Sequence, residues 1–320
     1  MLTVQHRVKI GGATYESARM VNLRTSAALT APVNTASVVL APPDGIAAAP
    51  DDEVVIEIGY GDDLQTVFTG LVESVDWAIE GVAIRAASRF RGLVSARFNR
   101  YFEKPKAGDI VSDVAGLLDI GTGSVEPGLE FPTFALSDGV TAYDALRGLA
   151  ERCGFDLYAD ADDKLIFAPY SAGETHAFQF GVNILALRVE TLKASVTGVE
   201  IYGESPASLG QGQDASSWLT KKDVKGTAGG GDGLTVRRFE PAARTQEDAG
   251  KIAEAVLAAA NAARACTLTV LGAPAVRLGD AVKISELPVG DQNGTFKVIG
   301  VAHRVDIKKG FYTIIDGLER

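Results

Sequence analysis

Cysteine and long apolar runs are nearly absent from this 320-residue sequence. Its two cysteines, Cys153 and Cys266, have no CxxC spacing, which argues against a disulfide scaffold and favours a reducing compartment. No apolar run approaches the roughly 20 residues that a membrane helix needs, so we expect no membrane anchor. The first residues, MLTVQHRVKI, lack the apolar segment of a secretory signal peptide. The chain is therefore expected to be made and assembled in the cytoplasm.

Positive charge is in deficit. The 31 Lys and Arg residues are outnumbered by 41 Asp and Glu residues, which gives a net charge of −10. Affinity for nucleic acid of any sequence comes largely from Lys and Arg side chains that displace counterions from phosphates. We therefore expect no nucleic-acid binding, sequence-specific binding included.

The sequence has little that could form a catalytic centre or a zinc site. Its histidines, His6, His176 and His303, lie in separate segments without HxxxH spacing or a cysteine partner. The serine in GESPA at 203–207 breaks the GxSxG pattern of a nucleophile elbow at its last position. The glycines in GTAGGGDG at 226–233 precede a strand pattern, whereas a phosphate-binding loop precedes a helix N-terminus. A flexible loop is the favoured interpretation there.

A calcium loop is also disfavoured. Asp160 and Asp162 have the spacing of the first two ligands, but Lys164 occupies the third ligand position and Ser171 replaces the bidentate glutamate. We interpret this segment as an acidic hairpin turn. The sequence thus predicts no catalytic residue, no cofactor-binding residue and no metal ligand.

Strand patterns fill the first 90 or so residues. Alternating apolar side chains predict a hairpin over residues 2–20, in which Val4, His6, Val8 and Ile10 share a face. Turns rich in Gly, Pro and Asp are predicted at Gly11-Gly12, Pro42–Gly45, Gly61–Asp63 and Glu80-Gly81.

The strand VFTGLVESVDW at 67–77 has a glycine at its middle. Glycine inside a strand loses packing area and conformational entropy on folding. Gly70 therefore marks either a bulge or close approach to a neighbouring strand, or an ordinary glycine in an edge strand.

Helical periodicity begins only after this block. One helix is predicted over 107–120 and a second over 140–153, with Gly154 ending it and a hairpin over 155–169 following. A third helix is predicted over 245–265, with Thr245 as N-cap and Arg264 near its end. Residues 205–234 are predicted to be a long loop, and strands return from residue 267.

Three segments together resemble a known family. They are VFTGLVESVDW, TAYDALRGLAERCGFDLYADADDKLIFAP and LGAPAVRLGDAVKI…NGTFKVIGVAHRVDIKKGFYTIIDGL. Each carries a degenerate motif: F-x-G, L-x-x-L-A-E-x-x-G-F, G-x-P-x-x-x-x-G-D and V-x-H-x-V, in that order. In order and spacing, they resemble the hub family of contractile tails, which includes the late control protein D of phages and the hub portion of type VI secretion spike trimers.

The resemblance implies a β-rich α+β fold, with two tail-tube-like β-barrel domains and an α+β insert between them. On this basis residues 1–95 are expected to form the first barrel and residues 96–174 the insert. The second barrel is expected from residues 175–205 together with 266–320, and residues 206–265 supply the long loop and the Ala-rich helix. In such a barrel Gly70 would lie where the strand bends.

The function implied by the resemblance is that of a structural baseplate hub. Such a hub is a homotrimer that joins a six-fold tail tube to a three-fold central spike, because three chains with two similar barrels present six similar units. The implied partners are a tail-tube or tube-initiator protein, baseplate wedge proteins and a spike. The spike is expected to be a separate protein, since the sequence stops after the last barrel strand, and the long loop is expected to contact it. The implied location is a virion tail or an injection particle.

Two alternatives remain open. The chain could be a tail-tip enzyme such as a cell-wall hydrolase, since paired carboxylates cannot be told from surface charge among 41 acidic residues. It could also be a tube initiator or the hub of a noncontractile phage tail. The sequence does not distinguish phage, bacteriocin and injection system.

Overall fold

The computed structural model of the chain describes residues 3–131, 133–203 and 224–319. The strands are β1 (Val4–Ile10), β2 (Ala13–Glu16), β3 (Met20–Ala28), β4 (Thr35–Leu40), β5 (Glu53–Tyr60), β6 (Asp63–Ala78), β7 (Gly81–Ala87), β8 (Arg100–Glu103), β9 (Thr122–Val125), β10 (Thr133–Leu136), β11 (Phe155–Ala159), β12 (Leu165–Pro169), β13 (Thr175–Gln179), β14 (Ile184–Thr191), β15 (Val196–Gly203), β16 (Lys225–Gly229), β17 (Leu234–Glu240), β18 (Arg264–Leu271), β19 (Ala281–Ser285), β20 (Gly294–Asp306) and β21 (Gly310–Leu318). The α-helices are α1 (Arg91–Ser95), α2 (Ala107–Leu117), α3 (Ala142–Cys153) and α4 (Gln246–Ala260). Within the described ranges, no helix has both the length and the apolar character needed to cross a membrane.

The strand pattern predicted for the first 90 residues is confirmed. The Gly11-Gly12 turn joins β1 to β2, with Ile10 paired to Ala13. Gly11 has a φ of 54°, in the left-handed region that glycine adopts without strain. The turns predicted at 61–63 and 80–81 join β5 to β6 and β6 to β7.

One sheet of 13 strands unites the two ends of the chain. Its path is β14-β18-β21-β20-β3-β4-β7-β6-β5-β1-β2, and β19 and β13 branch from β20. We call β1–β7 the N-half and β13, β14 and β18–β21 the C-half. The halves meet where β20 pairs antiparallel with β3, from Gly300 opposite Ala28 to Asp306 opposite Asn22. Backbone hydrogen bonds therefore join two halves that are far apart in sequence.

Strand pairing among the described residues closes neither half into a barrel. In the N-half the opening lies between β2 and β3, where Ser17 Oγ accepts a hydrogen bond from His6 N and Arg19 O accepts one from Ala41 N. In the C-half the opening lies between β13 and β14. Phe180 N, in the segment that connects these two strands, donates a hydrogen bond to Ser285 O. The ends of each half are thus bridged by the connecting chain and not by a strand ladder.

The helix-bearing insert matches most of its predicted elements. Thr141 caps α3 by accepting a hydrogen bond from Asp144 N at 3.1 Å, and Gly154 ends the helix at a φ of 69°. The hairpin β11–β12 follows directly. Helix α2 ends at Leu117, earlier than predicted, because Asp119 adopts a φ of 53° and turns the chain.

Two pairings inside the insert were not predicted. Strand β8 pairs antiparallel with β10, and β9 pairs parallel with β12 at the outer edge of the hairpin. Both involve four-residue strands, which are too short to show a period.

A separate three-stranded sheet, β16-β15-β17, packs against α4. The prediction of a loop over 205–234 is wrong for β16 and for Leu234, while residues 204–223 lie outside the described residues. The glycines of β16 reflect close packing: a Cβ added to Gly226 would lie 2.1 Å from the carbonyl carbon of Ala249 in α4.

Helix α4 begins as predicted but ends earlier. Thr245 accepts a hydrogen bond from Asp248 N at 3.0 Å. The helix stops at Ala260 because Asn261 leaves it to donate from Nδ2 to Val196 O at 2.6 Å. Arg264 is therefore not a helix residue: it begins β18 and pairs with Glu319.

Buried apolar side chains of the described residues form three hydrophobic clusters. One lies in the N-half and one in the C-half. The third combines α2, α3 and the hairpin β11–β12 with α4 and β15, including Val199 and Ile201. Residues 196–203 were expected to belong to the second barrel, but their buried side chains pack with the insert.

Gly70 is a point of close strand approach. A Cβ at this position would lie 2.4 Å from Ala87 O and 2.8 Å from the ring of Phe68. Strand β6 lies between β5 and β7, so the edge-strand interpretation is wrong. Bulges occur nearby, where the pairing of β6 shifts register at Val67 and again at Glu73.

Candidate functional site

The three histidines lie in different parts of the molecule. His6 is buried in the N-half, and His176 Nε2 lies 2.9 Å from Asp280 Oδ2. His303 Nδ1 lies 3.1 Å from Thr313 Oγ1. Among the described residues, no group of three or more His, Cys, Asp or Glu side chains is arranged to hold a metal ion.

The acidic segment after β11 is a hairpin turn, as predicted. Asp160 Oδ1 accepts hydrogen bonds from the backbone N–H groups of Asp162 and Lys164, both at 2.9 Å. Its carboxylate therefore closes the turn. The glycine segment 226–233 runs from β16 into β17, so no helix N-terminus follows it. GESPA begins at the last residue of β15, and its other residues lie outside the described residues.

The hairpin β11–β12 connects the insert to the C-half. Lys297 of β20, nearly fully buried, donates from Nζ to Asp156 Oδ1 at 2.6 Å and lies 4.5 Å from the ring centroid of Tyr170. Tyr158 Oη donates to Leu278 O at 3.4 Å. Burial raises the pKa of Tyr158 to about 12, so it is a hydrogen-bond donor at neutral pH.

The same hairpin also contacts the N-half. Asn34 Nδ2 donates to Ala159 O at 2.9 Å. The buried Asp163 carboxylate accepts two hydrogen bonds from Arg89 N, at 2.9 and 3.1 Å. Burial raises the pKa of Asp163 to about 6, against the opposing effect of Arg89. The hairpin thus connects the insert to both halves of the large sheet.

A cavity of about 270 Å³ lies at this three-way junction. It is lined from the N-half, the insert and the C-half by side chains that include Asn34, Phe68, Tyr158, Arg277 and His303. Burial, together with Arg277, lowers the pKa of His303 to about 4, so the imidazole is neutral at pH 7.

Asp280, the last residue of the motif G-x-P-x-x-x-x-G-D, has a structural role. The Asp280 carboxylate accepts hydrogen bonds from Glu174 N at 3.1 Å and from Arg277 N at 2.9 Å, and it contacts His176. It therefore holds the start of β13 against the turn that precedes β19. The motif residues hold the C-half together, and a reacting group is not needed to explain them.

Sequence reasoning missed the junction residues Asp156, Asp163 and Lys297. Lys297 lies in the apolar run FKVIGV, where an unpaired buried charge would be costly. This pattern indicates that Lys297 has a buried partner of opposite charge. The identity of the partner was not readable, because Asp156 precedes it by 141 residues.

Several large apolar side chains of the described residues are exposed, among them the following. Trp77 and Ile79 lie at the tip of the β6–β7 hairpin, and Val182 and Leu185 lie near the connection of β13 to β14. Phe239, on β17, is 85% exposed. Contiguous apolar patches are typical of protein interfaces, whereas single exposed apolar side chains are common on protein surfaces.

No protein-family model matches the chain, and no curated protein sequence matches it. Solved tail proteins nevertheless share its fold. The prophage MuSo2 43 kDa tail protein from Shewanella oneidensis superposes with a TM-score of 0.74 at 15% identity, over 99% of this chain and 98% of that chain. A tail protein from Neisseria meningitidis gives a TM-score of 0.71 at 15% identity, over 99% of this chain and 96% of that chain.

A secretion-system protein has a similar fold. The E. coli c3393 protein, a component of the type VI secretion system with structural similarity to the T4 bacteriophage tail proteins gp27 and gp5, gives a TM-score of 0.60 at 10% identity. The superposition covers 98% of this chain and 76% of that chain. The chain thus has the fold of structural tail and secretion proteins.

Proposed function

We propose that this chain is the structural hub of a contractile tail or injection particle. The observation that carries the proposal is the superposition on a prophage tail protein over 99% of this chain and 98% of that one. A match over nearly the whole of both chains leaves little of the molecule outside the shared architecture. The hub joins a six-fold tail tube to a three-fold central spike as a homotrimer, and it has no catalytic role.

The two halves of the large sheet support this role. The N-half and the C-half are each largely antiparallel, and they are joined through β3 and β20. In a trimer they present six sheet units to a six-fold ring, while the chain itself repeats with three-fold symmetry. The junction hairpin supports the role too, since it makes hydrogen bonds to both halves. In this proposal each half serves as a tube-like barrel unit.

The proposed partners are a tail-tube or tube-initiator protein, a separate central spike protein and baseplate wedge proteins. We propose that the insert makes the outward contacts of the hub, through its surface on the side of the hairpin away from the large sheet. The proposed location is the baseplate of a virion tail or injection particle.

The experiment is a copy-number measurement on particles captured from the native producer through a tag on this chain. Isotope-labelled reference peptides quantify the chain by mass spectrometry against the tube protein. Three copies per particle are expected for a hub. Six copies would indicate a tube initiator, and recovery of the chain without any tube or spike protein would refute the tail assignment.

A further inference from the structure

Among the described residues, no strand pairs with the outer edge of β17. It is the terminal strand of the sheet β16-β15-β17, and α4 packs against β15 and β16. Its seven residues, LTVRRFE, contain no proline, and the register shift in its pairing falls on β15, between Val196 and Gly198. Edge strands are usually blocked by proline, bulges, very short length or charged side chains. Of these features, the described part of β17 has only the charges of Arg237 and Arg238, which disfavour pairing with a basic or a second identical strand but favour an acidic one.

The side chains of β17 are exposed on both of its faces. Leu234 is 60% exposed on the α4 side and Phe239 is 85% exposed on the opposite side. Arg237 and Arg238 are consecutive, so they point to opposite faces of the sheet. An incoming strand would therefore meet an arginine on each face, although the whole chain has a charge of −10.

The face that carries Phe239 is organised by a hydrogen-bonded network. Glu200 accepts hydrogen bonds from Arg237 Nε at 2.7 Å, Lys225 Nζ at 3.0 Å and Tyr202 Oη at 3.0 Å. Lys225 lies 5.1 Å from the ring centroid of Tyr202, which is 5.7 Å from that of Phe239. These contacts fix Arg237 and leave the rest of its guanidinium in solvent, since its side chain is 70% exposed.

We propose that β17 binds an extended acidic segment of another protein, which adds to the sheet as a fourth strand. The free edge supplies main-chain hydrogen bonds, as in other strand-addition complexes. The segment carries acidic residues opposite Arg237 and Arg238, flanked by apolar residues that cover Leu234 and Phe239. Opposite charges across a strand pair favour this register and like charges disfavour it.

A polypeptide explains this surface better than a nucleic acid does. A row of free backbone groups is satisfied by another backbone, which nucleic acid does not provide in strand form.

The inference rests on the proposed function, because the partner is sought in the assembled particle. Phe239 is replaced by the photo-crosslinking residue p-benzoylphenylalanine in the native producer, and tagged particles are irradiated and digested. Mass spectrometry identifies the crosslinked peptide. Charge reversal tests the chemistry: Arg237→Glu with Arg238→Glu is compared with Lys308→Glu plus Lys309→Glu, an exposed pair that makes the same change in net charge.

The expected result is a crosslink to an acidic segment of a different tail protein. It should fall at least about fivefold in the Arg237/Arg238 variant and persist in the Lys308/Lys309 variant. A crosslink to this same chain, to nucleic acid or to a segment without acidic residues overturns the inference, and so does the absence of any crosslink in assembled particles. If the tag recovers no particle, the proposed function has failed instead.

Discussion

At Gly70 the identity of one residue determines whether two strands can approach. Because an added methyl would lie 2.4 Å from Ala87 O, Gly70→Ala must displace a backbone that is paired on both sides. We expect it to lower the free energy of unfolding by about 2 kcal/mol or more. Gly12→Ala is the control, since a Cβ there meets nothing within 4 Å, and it should be close to neutral. Chemical denaturation of both variants gives the comparison, and equal stability would contradict close packing at Gly70.

His303 makes stability depend on pH. Its pKa is about 4 in the folded protein, below the ordinary histidine value of 6.5 that applies in the unfolded chain, so the unfolded chain binds the proton more tightly between these values. The contribution of His303 to the free energy of unfolding is therefore fully present above pH 6.5. It falls by about 3 kcal/mol as the pH decreases towards 4.

The check is denaturation of the wild type and of His303→Gln at a series of pH values. The difference in their unfolding free energies should shrink as the pH falls from 7 to 4, because glutamine does not titrate. A constant difference would mean that His303 is not held neutral by its surroundings.

At the scale of elements, the hairpin β11–β12 connects the insert to the N-half and the C-half. Lys297→Met leaves Asp156 without its buried partner, and breaking such a pair costs about 3 to 5 kcal/mol. Adding Asp156→Asn should recover part of this loss, because the remaining charge is removed. Lys251→Met is the control, since its pair with Glu247 is exposed within one helix and should contribute little.

Unfolding by denaturant and limited proteolysis of the insert would follow these variants. If Lys297→Met is as stable as Lys251→Met, the hairpin does not hold the C-half.

Local patterns predicted the elements whose cause is local. The end of helix α3 could be placed to the residue because the apolar stripe stops where Gly154 follows, whereas its start was predicted two residues early, and the hairpin β11–β12 follows from its turn. Strand β16 was missed because its glycines indicate flexibility unless α4 is known to pack on them. The pairing of β3 with β20, and of Asp156 with Lys297, left no local signal that identified the partner.

At the scale of the whole molecule, one sheet runs through both ends of the chain and the insert makes hydrogen bonds to both of its halves. A hub needs such rigidity, because two mobile halves could not present six equivalent units to a ring. The resemblance read from three sequence segments predicted a tail-related architecture, and the fold agrees with solved tail proteins. Closed barrels were predicted and the strand pairings do not show them, since the chain bridges each opening without a ladder.

The central claim is tested most directly by electron microscopy of particles captured through a tag on this chain, classified without imposed symmetry. The account predicts a three-fold ring of this protein between a six-fold tube and a central spike, with the N-half and the C-half alternating around the ring. A six-fold ring of this protein, or a free monomer without a tube, would contradict it.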